Sequence, residues 1–165
     1  MKAIPTTYAG VRFRSRLEAR YALAFDQIGL KWAYEPEGVQ LRGGECYLPD
    51  FWLPDCRTFV EVKGPTTERA DLVTKAQDEA DSERLERCAT DKPLFVLCDE
   101  FGRMFAGDEL ETHLSRCERC SQWYFRVDCC GWNCRCCGHA DGNATFVEDL
   151  EVINLPQYQW HRKAA

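Results

Sequence analysis

The stretch Tyr47–Gly64, "YLPDFWLPDCRTFVEVKG", sets three charged residues, Asp50, Glu61 and Lys63, among large apolar side chains. Aromatic and β-branched residues dominate the runs 47–53 and 58–63, and Pro54-Asp55-Cys56-Arg57 between them has turn composition. This pattern predicts a β-hairpin. A symmetric even turn pairs Leu53 with Thr58 and Trp52 with Phe59, and sets Asp50 directly opposite Glu61. Period-two alternation puts Glu61 and Lys63 on that same face and Phe51, Leu53, Val60 and Val62 on the other. With apolar groups on both faces, the pair is predicted to be largely buried. Two carboxylates opposed at about 5 Å repel by about 3 kcal/mol even at an effective dielectric near 20. Something must offset that.

A divalent cation would do so. Two carboxylate oxygens and one backbone carbonyl make half of an octahedral oxygen shell, leaving positions for water and a phosphate. Lys63, one strand step beyond Glu61, would then orient or activate the attacking water. The competing reading is a hairpin edge whose charges reach solvent, with Lys63 paired to Glu61.

Upstream, "FRSRLEARYALAFDQIGLKW" is a helix signal, with Leu17, Tyr21, Ala24, Phe25 and Ile28 at helical spacing and Gly29-Leu30 as a stop. Glu18 lies at the border of the apolar stripe, where it can face the sheet. Ser15-x-x-Glu18 also has the form of a capping box, in which Glu18 reaches back to the Ser15 amide. The two roles are compatible.

The order "FRSRLE", "WAYEPE", "YLPDFWLPD", "FVEVKG" resembles the PD-(D/E)xK nuclease superfamily, most closely the phage endonuclease I junction resolvases and TnsA-type transposon endonucleases. The resemblance covers Val11 to about Pro65, roughly a third of the chain. Carried over by position, it implies Glu18, Asp50, Glu61 and the Val62 carbonyl as ligands of a catalytic Mg2+ or Mn2+, and Lys63 as the catalytic lysine. It further implies an α/β, restriction-endonuclease-like αβββαβ core, an endonuclease hydrolysing DNA phosphodiesters at junctions or branches, and a homodimer. A reading of another class is a non-catalytic nucleic-acid binding protein built on a nuclease-like core.

The charge balance argues the other way. Net charge is −6, whereas DNA-binding domains usually carry a basic footprint. The excess is local, because residues 78–111 hold eleven acidic and four basic side chains, a net of −7 that leaves +1 for the remainder. Within residues 1–20, Lys2, Arg12, Arg14, Arg16 and Arg20 oppose only Glu18. Arg12, Arg14 and Arg16 are therefore candidate phosphate contacts beside the metal. The start of the chain lacks an apolar signal-peptide core and no run of 18 apolar residues occurs, so a cytoplasmic protein without membrane contact is expected.

Beyond Gly64, Thr67 to Cys88 reads as a polar helix with a thin apolar stripe, on which Lys75 and Gln77 have a weak claim to approach the site. "KPLFVLC" (92–98) reads as a further strand and "GRMFAGD" as a short one after it.

Of eleven cysteines, seven crowd between Cys117 and His139, and in a chain expected to stay cytosolic this pattern indicates metal before disulfides. Cys117-x2-Cys120 and Cys134-x2-Cys137 stand 13 residues apart, with Gly138 after the second pair, the spacing of a Zn2+ ribbon. Cys129, Cys130, Cys136 and His139 are surplus, and an iron–sulfur cluster is the second choice. A segment of this size cannot bury a core of its own, so the metal would fold it. It would serve either as a structural clip or as a nucleic-acid contact module, with Arg116, Arg119, Arg126 and Arg135 for phosphates and Trp123, Tyr124 and Trp132 for stacking or packing. The expected division is a nuclease-like core at 1–112, a cysteine-rich module at 113–147 and a tail at 148–165.

Overall fold

From its N-terminus the chain lays down a short hairpin, β1 (Thr6–Tyr8) and β2 (Val11–Phe13), and then its helix α1 (Arg16–Gln27). Ala9 and Gly10 both take positive φ, 48° and 82°, which is the two-residue turn whose twist matches that of paired strands. Then follow β3 (Ala33–Tyr34), β4 (Val39–Gln40), β5 (Cys46–Tyr47), β6 (Phe51–Leu53), β7 (Thr58–Val62), β8 (Leu94–Cys98), β9 (Met104–Phe105), β10 (Glu111–Arg116), β11 (Trp123–Val127) and β12 (Thr145–Phe146). This computed structural model describes residues 3–40, 44, 46–63, 94–98, 103–105, 111–127, 134, 136–139 and 145–146. Among them the fold is a small mixed α/β arrangement with one helix. The predicted helix from Thr67 to Cys88, with Lys75 and Gln77, and the tail at 148–165 lie outside the described residues.

The helix forms where its signals stand. Ser15 is the N-cap, its hydroxyl accepting from the Glu18 amide at 3.2 Å. At the other end Gly29 turns to φ 73°, and the Leu30 amide returns to the Phe25 carbonyl at 2.9 Å while the Gly29 amide reaches Asp26 at 3.0 Å, a Schellman stop. Tyr21, Ala24 and Phe25 are buried as the apolar spacing predicts, and Ala19, Ala22 and Leu23 join them. The stripe is therefore wider than its spacing alone suggests. Phe25 meets Phe51 edge-on at 5.5 Å, and Trp32 meets the same ring at 5.9 Å, so α1 and the hairpin share one aromatic core.

The main sheet runs β11-β10-β9-β8-β7-β6-β3, with β12 also paired to β10. The hairpin has the register read from the sequence, Leu53 on Thr58, Trp52 on Phe59 and Phe51 on Val60. Arg57 closes its turn at φ 51°, with its amide on the Pro54 carbonyl at 3.3 Å. The strand expected over 47–53 is in fact two: Cys46–Tyr47 pairs with β4 in a separate small sheet, and pairing resumes only at Phe51. Pro49, which has no N–H to give a ladder, stands at the break. β7 and β8 pair in parallel, which a tight turn cannot connect. β10 runs across the expected boundary at 112/113 and pairs with β9, so the cysteine-bearing loop grows directly out of the main sheet.

No helix of the described residues is long and apolar enough to cross a membrane.

Candidate functional site

Glu18 sits in the first turn of α1 and is only 7% exposed. Its Oε2 accepts from the Tyr34 hydroxyl at 2.5 Å and from the Arg14 amide at 3.1 Å. The return bond expected at the Ser15 amide thus goes one residue further upstream, which closes the corner between β2 and α1. Burial and the bond to Glu18 push the Tyr34 phenol up, so it remains a donor.

Asp50 follows Pro49 at the entry to β6 and is 3% exposed. Its Oδ2 accepts from the Val62 amide across the hairpin at 2.8 Å, and its Oδ1 takes Arg14 Nη2 at 2.5 Å. Continuing the ladder by one pair places Asp50 opposite Glu61, whose Oε2 is buried. Burial pushes the Asp50 carboxyl up to about 8, and the charges of Glu61 and Glu18 add to the rise. The Val62 amide and the Arg14 guanidinium pull it down without prevailing. Glu18, Asp50 and Glu61 therefore share one electrostatic environment, although they come from a helix and two strands. Lys63 is half-buried just past the end of β7, its amide extending the ladder to the Cys98 carbonyl at 2.7 Å.

The three arginines part company. All three are exposed, but the Arg14 guanidinium reaches inward, with Nε 2.9 Å from Glu35 Oε1 and Nη2 on Asp50. Tyr34 and Glu35 were not among the residues expected at the site. Glu35 adopts φ 44°, a conformation uncommon for a residue with a side chain. "WAYEPE" carries no sign of it beyond its place in the motif order.

The sulfurs of Cys117, Cys120, Cys134 and Cys137 all lie within 4.8 Å of one another, with Cys117 to Cys137 at 3.7 Å and Cys120 to Cys134 at 3.4 Å. A tetrahedron of thiolates about 2.3 Å from a central ion has an edge of about 3.8 Å, so the group can hold one metal ion. Sulfurs this close enclose a single ion and leave no room for a multi-iron cluster between them. Each pair forms the same loop: the Ser121 amide returns to the Cys117 carbonyl and the Gly138 amide to the Cys134 carbonyl, both at 2.8 Å. Ser121 and Gly138 occupy the same left-handed conformation, φ 61° and 68°.

Desolvation opposes ionisation of Cys117 and Cys134. Even so, the amides of Cys120 and Arg119 hold the Cys117 thiol low, and those of Cys137 and Cys136 bring Cys134 down to about 7. The Gln122 amide pulls the Cys120 thiol down, but desolvation and then the hydrogen bonds with Cys134, Cys137 and Cys117 move it up. Cys136 is exposed and outside the group, and His139 contributes its carbonyl to the Cys134 amide at 2.8 Å. Cys129, Cys130, Trp132, Arg135 and the side chain of Arg126 lie outside the described residues. Trp123 is 7% exposed and belongs to the core, so it packs, while exposed Arg116 lies 5.5 Å over its ring.

Comparison with family models, with curated proteins and with solved structures gives no match for this chain.

Proposed function

We propose that this chain is a metal-dependent endonuclease that hydrolyses DNA phosphodiester bonds. The reading is carried by one observation: Asp50, 3% exposed, stands opposite Glu61 when the hairpin ladder is continued by one pair, and the charges of Glu61 and of Glu18 on α1 both act on it. Strongly perturbed titratable groups cluster at functional sites, which supports the reading. The residues fit a hard cation, since the donor set is all oxygen: Glu18, Asp50, Glu61 and the Val62 carbonyl. Mg2+ or Mn2+ bound there would supply Lewis-acid polarisation of the phosphate and a more acidic water. The chain's own contribution is positional. Asp50 is fixed by the Val62 amide, Glu18 by Tyr34, and Lys63 is set one step from Glu61 to hold the attacking water by hydrogen bond and oppose the growing charge on phosphate. Arg12 and Arg16, both exposed, would contact flanking phosphates. We assign the four-cysteine group to structural Zn2+, and we place the core in the restriction-endonuclease-like αβββαβ class, acting on junction or branched DNA as a homodimer.

The second reading, a nucleic-acid binding protein without catalysis, is favoured by Arg14, whose Nη2 already occupies Asp50 Oδ1. Incubation of the zinc-loaded protein with plasmid, single-stranded, flapped and four-way-junction DNA, with Mg2+, Mn2+ or EDTA, separates the two. Cleavage that needs the divalent ion supports the nuclease. Binding without cleavage under every condition supports the alternative.

A further inference from the structure

We propose that Arg14 is the resident counter-cation of Asp50 in its ionised form, and that a divalent metal enters this site by exchange with its guanidinium. The inference rests on the carboxylates being a metal site, as argued above. It starts from the division of labour within Asp50. Oδ2 is committed to the Val62 amide at 2.8 Å, so Oδ1 is the oxygen left for a cation, and Arg14 Nη2 holds it at 2.5 Å. A cation on that oxygen would stand at about 2.1 Å, beside a guanidinium still in hydrogen-bond range, and the two positive centres would repel. The two therefore compete for Oδ1.

The arginine is built to leave. Its side chain is 49% exposed while that of Asp50 is 4% exposed, so the guanidinium has a path to water and the carboxylate does not. Its backbone is pinned, with the Arg14 amide shared between Glu18 Oε2 and the Tyr34 hydroxyl, each at 3.1 Å. Release therefore needs side-chain rotation alone. A second anchor keeps it close, because Nε hydrogen-bonds the Tyr34 hydroxyl at 3.4 Å and pairs at 2.9 Å with Oε1 of Glu35, whose side chain is itself 35% exposed. Freed from Asp50, the Nη groups would face outward from Glu35, where a phosphate oxygen could take them. The direction of exchange follows from charge: the guanidinium brings one positive charge to Asp50, on which the charges of Glu61 and Glu18 also act, and a divalent ion brings twice that charge to the same carboxylate.

The test uses the full, zinc-loaded chain with labelled arginine guanidinium nitrogens, followed by NMR during titration with Mg2+. The Arg14 signals are assigned by their loss in Arg14→Lys. On saturation the Arg14 Nη protons should change from slow to averaged rotation and exchange faster with water, while the Nε signal on Glu35 persists. In parallel, Mn2+ affinity read by EPR should tighten at least tenfold in Arg14→Gln. If Mg2+ saturates the Glu61 and Lys63 amide shifts while the Arg14 signals stay unchanged, exchange is wrong and the metal site stands. If neither parent nor variant binds Mg2+ or Mn2+, both ideas fall. Should Arg14→Gln not fold, the titration of the parent decides alone.

Discussion

Between about pH 5 and pH 7 the Mg2+-free fold should lose stability as pH rises, because Asp50 keeps a proton that the unfolded chain gives up. The carboxyl titrates near its ordinary 3.8 when unfolded and near 8 in the fold, raised first by burial and then by Glu61 and Glu18. Folding thus takes up a proton, and the stability linked to it is complete below about pH 4 and disappears as pH climbs through about 8. Inside that window one proton gives a slope of about 1.4 kcal/mol per pH unit, so about 3 kcal/mol is lost between pH 5 and pH 7. Asp50→Asn removes the titrating group, and its loss over the same range should be smaller by about that amount. Urea unfolding of both proteins, zinc-loaded and without Mg2+, measures it, and the difference between the two slopes cancels histidine and thiol contributions common to both. At pH 7 the variant should be at least as stable as the parent, since an amide has no proton to take up on folding whereas Asp50 must recover one that the unfolded chain has lost. Parallel slopes would refute the argument. So would a variant weaker than the parent at pH 7 by more than about 2 kcal/mol, which would mean that the Arg14–Asp50 pair outweighs burial and repulsion.

Lys63→Ala should leave melting and Mn2+ binding intact while slowing DNA cleavage by about two or more orders of magnitude, and undiminished cleavage would remove Lys63 from the chemistry. Because Asp50 must give up its proton to accept a metal, Mn2+ affinity should rise by up to about tenfold per pH unit from pH 6 and level off above about 8, and a flat calorimetric profile would contradict this. Elemental analysis should find one zinc per chain. Cys117→Ser or Cys137→Ser should lose it, whereas Cys129→Ser and Cys136→Ser should keep it; two zincs, iron, or a metal-free Cys129 variant would show that the ligand set is wrong.

The hairpin register was legible because a four-residue turn leaves one symmetric pairing, and the helix because its cap, stripe and glycine stop agree with one another. The interruption at Pro49 was harder to see. Tyr47 and Phe51 both suit a strand, and what separates them is the partner that β5 finds in Val39–Gln40, two residues too short to leave any periodic trace. β10 is hidden for a different reason. "ETHLSR" buries Thr112, Leu114 and Ser115, so small polar residues fill core positions where an apolar alternation would be looked for. Pairing with β9 and β11 on either side forms the strand, and that information is not local.

The same distinction between local and non-local chemistry divides the two sites. Each cysteine knuckle is a closed loop of a few residues, so x2 spacing is enough to read it, and only Ser121, in a conformation where Gly138 serves the other knuckle, departs from expectation. The carboxylates are read from alternation along one hairpin and one cap box, both short-range. Arg14 is the residue that spacing misplaces. Arg12, Arg14 and Arg16 alternate as though they shared one basic face, but β2 ends at Phe13 and α1 begins at Arg16, so the chain changes period between them. Arg14 stands at that corner, its amide caught by Glu18 and Tyr34, and the turn throws its side chain toward Asp50, 36 residues away in sequence. Arg12 and Arg16 stay in water because each still belongs to a regular element with an outward face. The arginine nearest the chemistry is thus the one whose position depends on tertiary structure, which is why its pairing with Asp50 could not be read from the sequence.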